Sequence, residues 1–268
     1  MRLKVIIDNN TIIDSYYWGE PGVSYFIEDE GSMILFDMGY SDLVLRNLIA
    51  MGIEPKTVDT IVLSHGHDDH TKGLKPFFEN VHNPGIKLIA HPDVFNEKEA
   101  DGLKISAPFS ELEMAQKCRL TLSKSPVKLS ENITFLGEIP RKMAFEKQNP
   151  IGRQQVLGKW EADFIWDDSG LVYQCSDGIV VITGCSHSGI CNIIEQAKAI
   201  TGEDRVLGVI GGFHLFTVTD QVHQTIDYFK KNKITDLYPC HCTSFAVKAA
   251  IHTELPIHDV GVGLELNW

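Results

Sequence analysis

Four side chains suited to binding a metal ion, His65, His67, Asp69 and His70, fall within six residues, directly after an apolar run at Thr60 to Leu63. A short β-rich run that stops at a polar cluster reads as a strand, a ligand loop and then a helix. In an extended turn residues two apart point the same way, so His65 and His67 can grip one cation. Asp69 and His70, entering the helix, then face a neighbouring position. Imidazole and carboxylate suit Zn²⁺, Mn²⁺ or Fe. The bland alternative is a solvated polar loop, and a strand that aims the whole cluster at one place argues against it. A fold for this chain must therefore gather strand ends around a metal.

The rest of the chain repeats the pattern. Leu3 to Ile7 reads as a strand, followed by an aromatic loop at Tyr16-Tyr17-Trp18. Val23 to Glu28 and Met33 to Asp37 read as a hairpin turned at Asp29-Glu30-Gly31. Ser41 can cap a helix with Val44, Leu48 and Met51 on one face. Strand character returns at Asn132 to Leu136, Leu171 to Cys175 and Ile179 to Thr183, the last running into Gly184-Cys185-Ser186-His187. Helical spacing follows from Ile190 to Ile200. Val206 to Ile210 runs into Phe213-His214, and a helix at Gln221 to Lys231 leads to a strand ending at Cys240-His241. Each of these strands delivers polar residues at its C-terminal end, where α/β proteins place their chemistry. From about 92 to 160 the chain is polar with weak helical periodicity and reads as an inserted lid or subdomain of one domain spanning 1–268.

His65-Gly66-His67-Asp68-Asp69-His70 after an apolar strand resembles the first metal motif of the metallo-β-lactamase superfamily, and Asp37-Met38-Gly39 resembles its upstream Asp-x-Gly turn. The runs Gly184 to Gly189, Gly211 to Leu215 and Pro239 to Thr243, with Gly137-Glu138-Ile139-Pro140-Arg141, are similar to the branch that includes archaeal dihydropterin–ribofuranosylaminobenzene phosphate synthases and many metal-dependent hydrolases. The resemblance implies an α+β fold, a four-layer αββα sandwich with the metals at one edge. It also implies two divalent metal ions, zinc with manganese or iron as alternatives, and a hydroxide held between them as nucleophile.

The sequence departs from that pattern in two places. Where the bridging Asp of the superfamily is expected stands Cys185, which reads either as a soft ligand or as a small buried residue behind the ligands. No His lies near Glu138, so His187 is the candidate to complete the first metal site, with Glu138 as the alternative. The resemblance assigns His65, His67 and His187 to one metal and Asp69, His70 and His241 to the other. Asp37 is expected to hold a ligand's ring N–H. His214, by analogy with the tRNA 3′-processing members, is a proton donor to the leaving group. Tyr17 and Trp18 are candidates for stacking on substrate, and Arg141 for binding an anionic group. Cys240 and Cys242, alternating away from His241 in a continuing strand, are expected to be packing residues, with a separate Cys-x-Cys metal site as the rival reading.

A net charge of −12 argues against a surface that wraps nucleic acid. The start Met1-Arg2-Leu3-Lys4 does not read as a signal peptide, no stretch approaches a membrane span, and six unevenly spaced cysteines do not read as a disulfide framework; a cytoplasmic protein acting on a small molecule is expected. The expected activity is hydrolysis of an ester, phosphate ester, lactone or thioester. A pterin-type synthase or transferase using the same metals is the alternative, and a non-catalytic metal-binding or sensing protein is a third.

Overall fold

The computed structural model describes residues 1–146 and 149–268. In chain order the strands are β1 (Arg2–Ile7), β2 (Ser24–Asp29), β3 (Ser32–Phe36), β4 (Thr60–Val62), β5 (Lys87–Ala90), β6 (Lys98–Ala100), β7 (Leu103–Lys104), β8 (Arg119–Leu122), β9 (Val127–Lys128), β10 (Ile133–Phe135), β11 (Arg153–Val156), β12 (Lys159–Ala162), β13 (Gly170–Cys175), β14 (Gly178–Thr183), β15 (Val206–Gly212), β16 (Leu237–Cys240) and β17 (Glu265–Asn267). The α-helices are α1 (Leu43–Ala50), α2 (Asp68–Thr71), α3 (Leu74–Asn80), α4 (Glu111–Ala115), α5 (Ile190–Thr201), α6 (Asp220–Lys231) and α7 (Phe245–Glu254).

Two sheets form the centre. One runs β17-β1-β2-β3-β4-β5-β8 and the other β16-β15-β14-β13-β10-β9. Period-two alternation splits each strand between two apolar layers. Tyr25 and Ile27 of β2 and Val180 and Ile182 of β14 meet in the cluster between the sheets. Phe26 faces outward under α1, α3 and α4 with Val44, Leu48, Phe77 and Met114. On the other side Val181 meets Ile193, Ile226 and Ile251 of α5, α6 and α7. Helices therefore cover the outer face of both sheets, giving the four-layer αββα sandwich.

The hairpin turns where Glu30 and Gly31 take positive φ, and Ser41 Oγ accepts the Leu43 N–H at the start of α1. The stretch from 92 to 160 differs from its weak helical periodicity: among the described residues it has a single 3-10 turn at Pro92–Phe95 and one α-helix, α4, of five residues. Its remaining strands divide. β8 joins the first sheet, β9 and β10 the second, and β6, β7, β11 and β12 make a separate four-stranded sheet. The periodicity misleads because short edge strands between turns bury too little surface to show a clean alternation. Among the described residues no helix is long and apolar enough to cross a membrane.

Candidate metal centre

Most side chains at the centre sit where a strand runs out, while Asp69 and His70 lie in the short helix α2 that follows. β4 ends at Val62 before His65 and His67, β14 at Thr183 before Cys185 and His187, β15 at Gly212 before His214, and β16 at Cys240 before His241. Backbone strain collects here: Asp37, Ser186, His214 and His241 lie in the left-handed region at φ 61°, 59°, 51° and 48°. Such conformations cost roughly 1–3 kcal/mol each in non-glycine residues and persist where surrounding structure holds them.

The result is two groups of facing donors. His65 Nε2 and His187 Nε2 stand 3.2 Å apart, as do His70 Nε2 and His241 Nε2. Asp69 Oδ2 lies 3.3 Å from His241 Nε2 and 3.6 Å from His70 Nε2. Cys185 Sγ lies 3.1 Å from His70 Nε2. Four sets of potential ligand atoms fall within 4.8 Å of one another: His65, His67 and Asp69; His65, Cys185 and His187; His70, Cys185 and His241; and Cys185, His214 and Cys242. Cys185 belongs to three of the four, so its sulfur stands among the donors and not behind them. Glu138 is elsewhere, paired with Lys124 at 2.9 Å and with buried His91 at 3.2 Å, and takes no part.

The opposite face of each ring explains why these nitrogens point at one another. Asp37 Oδ2 stands 2.7 Å from His70 Nδ1 and accepts the Ser64 hydroxyl at 2.7 Å. With its proton committed to Asp37, Ser64 Oγ accepts from His65 Nδ1 at 2.9 Å. Asn9 Oδ1 accepts from His241 Nδ1 at 2.8 Å. Each acceptor fixes the proton on Nδ1 and leaves the Nε2 lone pair aimed inward. His67 Nε2, buried, has no hydrogen-bond partner at all. Lone pairs converging at such distances are satisfied by a cation, so the residues fit a metal.

Protonation agrees with that. Burial, reinforced by His70, pushes His65 well below its usual range, and burial with neighbouring His214 does the same to His187. Burial and then Lys98 bring His67 down to about 4. These three rings are neutral donors at neutral pH, the form a metal needs. Burial alone would raise Asp69, but His70 and His241 outweigh it and keep the carboxylate ionised. His70, where Asp69 and Asp37 overcome burial, is raised to about 9, a proton that a cation would displace.

A buried ion cluster that sequence reasoning missed holds the ligand loop in place. Lys98, Asp163 and Asp167 have no solvent exposure. Lys98 Nζ lies 2.8 Å from Asp163 Oδ2 and 3.0 Å from Asp167 Oδ1, and Asp167 Oδ2 accepts the Gly66 N–H at 2.8 Å. Gly66 sits between two ligand histidines, and a Cβ there would run into the Val94 carbonyl and Lys98 Cε. The sequence carries little signal of it: Lys98 stands between Glu97 and Glu99, and only Phe164-Ile165-Trp166 between the two aspartates is apolar.

The donors open on a cleft of about 540 Å³ whose walls include Pro21, Tyr40, Ile105, Ile151, Phe216 and Cys242. His214 reaches it, its ring 4.2 Å from that of His187 and its buried Nδ1 without a partner. Three candidates for substrate contact are placed elsewhere. Trp18 lies on α1 under the Arg46 guanidinium at 4.4 Å, and Tyr17 lies against Gly263. Arg141 donates to the carbonyls of Phe164 and Ile165 at 2.6 and 2.8 Å and stacks on Trp166 at 4.0 Å, so its charge pins a loop. Pro21 and Tyr40 take the position foreseen for the aromatic pair. Cys242 also departs from expectation: Cys240 packs between the sheets, but the left-handed turn at His241 breaks the alternation and brings Cys242 into the cleft.

Beside His187 and His214 lies a smaller cavity of about 170 Å³ bordered by Glu146. Its carboxylate accepts the N–H groups of Cys191 and Asn192 in the first turn of α5, at 2.8 and 2.9 Å. Burial raises Glu146 from 4.5 to about 7. The folded chain keeps a proton there that the unfolded chain releases, so this group's contribution to stability falls as pH rises from about 4.5 to 7. Glu146→Gln is expected to flatten that slope in denaturant titrations of metal-free protein; an unchanged slope would show that another group carries it.

Over residues 17–198 the sequence matches the family described as the metallo-beta-lactamase superfamily. It is 34% identical, across 91% of the chain and 88% of the relative, to the 7,8-dihydropterin-6-methyl-4-(beta-D-ribofuranosyl)-aminobenzene-5′-phosphate synthase of Methanocaldococcus jannaschii. It is 36% identical to an uncharacterized protein of the same organism, across 91% of each. A solved structure described as a metal-dependent hydrolase of the beta-lactamase superfamily superposes with a TM-score of 0.85 at 27% identity, covering 100% of this chain and 99% of that one.

Proposed function

We propose that this chain, which belongs to the metallo-beta-lactamase superfamily, is a metal-dependent hydrolase acting on a small ester, phosphate ester, lactone or thioester. The observation that carries the reading is the meeting of two donor groups at one sulfur, Cys185. His65, His67 and His187 would hold one divalent cation and Asp69, His70 and His241 the other, with Cys185 shared in place of a bridging carboxylate. Zinc suits the set, with manganese or iron as alternatives. When bound, such ions supply Lewis acidity toward a carbonyl or phosphoryl oxygen and acidify water toward neutral pH.

The chain's own residues do the rest. Asp37 and Ser64 orient His70 and His65 through their Nδ1 protons, and Asn9 orients His241. His214, at the cleft wall beside His187, is placed to pass a proton to a departing oxygen or nitrogen. Ile105, Ile151 and Phe216 give the cleft an apolar flank that would keep bulk water from the reacting group. A cytoplasmic location and a small-molecule partner belong to the same reading.

One observation favours a second reading. The relative named as a dihydropterin-linked aminobenzene phosphate synthase aligns along nearly the whole chain, so a pterin-type synthase built on the same centre is the alternative. Elemental analysis paired with a substrate panel separates the two. The hydrolase reading expects close to two divalent ions per chain and turnover of a generic phosphodiester, lactone or thioester that chelation abolishes and metal restores. Full metal loading with no hydrolysis, together with binding of pterins, would move the assignment to the synthase.

A further inference from the structure

The six cysteines fall into two kinds. Cys118, Cys191 and Cys240 are members of the three apolar clusters and Cys175 packs against one of them. Cys185 and Cys242 belong to none. Cys242 Sγ donates to the Cys185 carbonyl oxygen at 3.4 Å, and the two sulfurs with a His214 ring nitrogen form one set within 4.8 Å.

The topology should keep these thiols apart. They follow β14 and β16, and β15 lies between those strands. Gly212 at the end of β15 removes the barrier, since a Cβ there would run into Cys242 Sγ and the Gly184 carbonyl. A side chain is missing at the one place where it would separate the sulfurs. Cys242 also lines the cleft, outside all three apolar clusters.

We propose that Cys242 is a further metal ligand that joins Cys185 to give the centre a two-thiolate face and a preference for thiophilic cations. The inference rests on the metal-centre reading above and names its metal class: Zn²⁺, Cd²⁺ or Co²⁺ bound far better than Mn²⁺ or Mg²⁺. The physical ground is donor softness. One sulfur among imidazoles and a carboxylate leaves a centre that manganese and zinc both suit, whereas a second sulfur tilts it toward polarisable ions. His214 keeps the role given to it above; the proposal concerns the sulfurs.

The test uses the full chain loaded with Co²⁺ or Cd²⁺ and reads sulfur-to-metal charge-transfer absorption. Cys242→Ser is expected to lower the band by about half and to weaken zinc roughly 10- to 100-fold, as loss of a supporting interaction at a metal site does, while manganese affinity stays put. Cys242→Asp should shift preference toward manganese. In wild-type protein, Cd²⁺ but not Mg²⁺ should protect both Cys185 and Cys242 from alkylation, a measurement that needs no variant to fold. A band lost in Cys185→Ser but unchanged in Cys242→Ser, with Cys242 alkylated at full rate in the loaded protein, overturns the inference and leaves the metal centre standing. Failure of wild-type protein to bind Co²⁺, Cd²⁺ or Zn²⁺ at all overturns both.

Discussion

Cys185→Ala is expected to reduce bound metal from two ions per chain to one or none and to cut turnover on the order of 10²-fold or more. Removal of a supporting partner already costs about 10- to 100-fold at metal sites, and on the proposed reading this change would take away a donor shared by two ions. Cys185 Sγ lies 3.1 Å from His70 Nε2 and belongs to both the His65–His187 and the His70–His241 sets. No other side chain in those sets serves both. Burial pushes its thiol well up in the metal-free chain, so binding a cation there must expel a proton. Metal affinity should accordingly strengthen as pH rises. Cys185→Asp keeps a short anionic donor at the same strand end and should recover much of the metal and activity lost in the alanine variant. Two ions and near-normal turnover in Cys185→Ala, measured by elemental analysis and initial rates, would remove the shared sulfur from the mechanism.

Lys98→Met is expected to cost about 3–5 kcal/mol of folding stability, the usual penalty for removing one partner of a buried ion pair. The size comes from what remains. Asp163 and Asp167 would face each other without their ion-pair partner and buried from water, with Arg141 the nearby cation that remains. With Lys98 present, Asp167 stays below its usual range although burial opposes it, while burial leaves Asp163 above its own. Lys98 itself is raised, because the two carboxylates outweigh burial. Adding Asp163→Asn to Lys98→Met removes one orphaned charge and should restore part of the loss. A Lys98→Met variant within about 1 kcal/mol of wild type by denaturant unfolding would show that the cluster is not held as an ion set.

What could be read from residues alone follows the range of the interactions involved. His65, His67, Asp69 and His70 are close in the chain, so one strand and one turn suffice to predict that they converge. His187 and His241 could be named from their order along the chain, since each follows an apolar run that has room for one strand. The ion cluster could not, because Lys98 and Asp163 are brought together by strands of the small sheet whose pairing no local pattern reveals. Trp18 and Arg141 show a different limit. An aromatic or basic residue on a loop has many surfaces to lie on, and here α1 and the Phe164 carbonyl captured them. A strand continuing past His241 would turn Cys242 into the packing beside Cys240. The left-handed residue at His241 ends it, and nothing in the composition of Cys240-His241-Cys242 announces that turn.

The seam between the two sheets has a thermodynamic consequence. One side of the centre comes from the loop after β4 in the first sheet, the other from the loops after β14, β15 and β16 in the second. The first layer offers His65, His67, Asp69 and His70 and the second Cys185, His187 and His241, so only the docked sandwich presents the full donor set to a metal ion. Ions that bind only the docked sandwich stabilise it in proportion to the logarithm of their free concentration. On the proposed metal-centre reading, the resistance of this protein to unfolding would be set partly by the metal supply around it, and scarcity of the ion would show first as a shorter-lived protein.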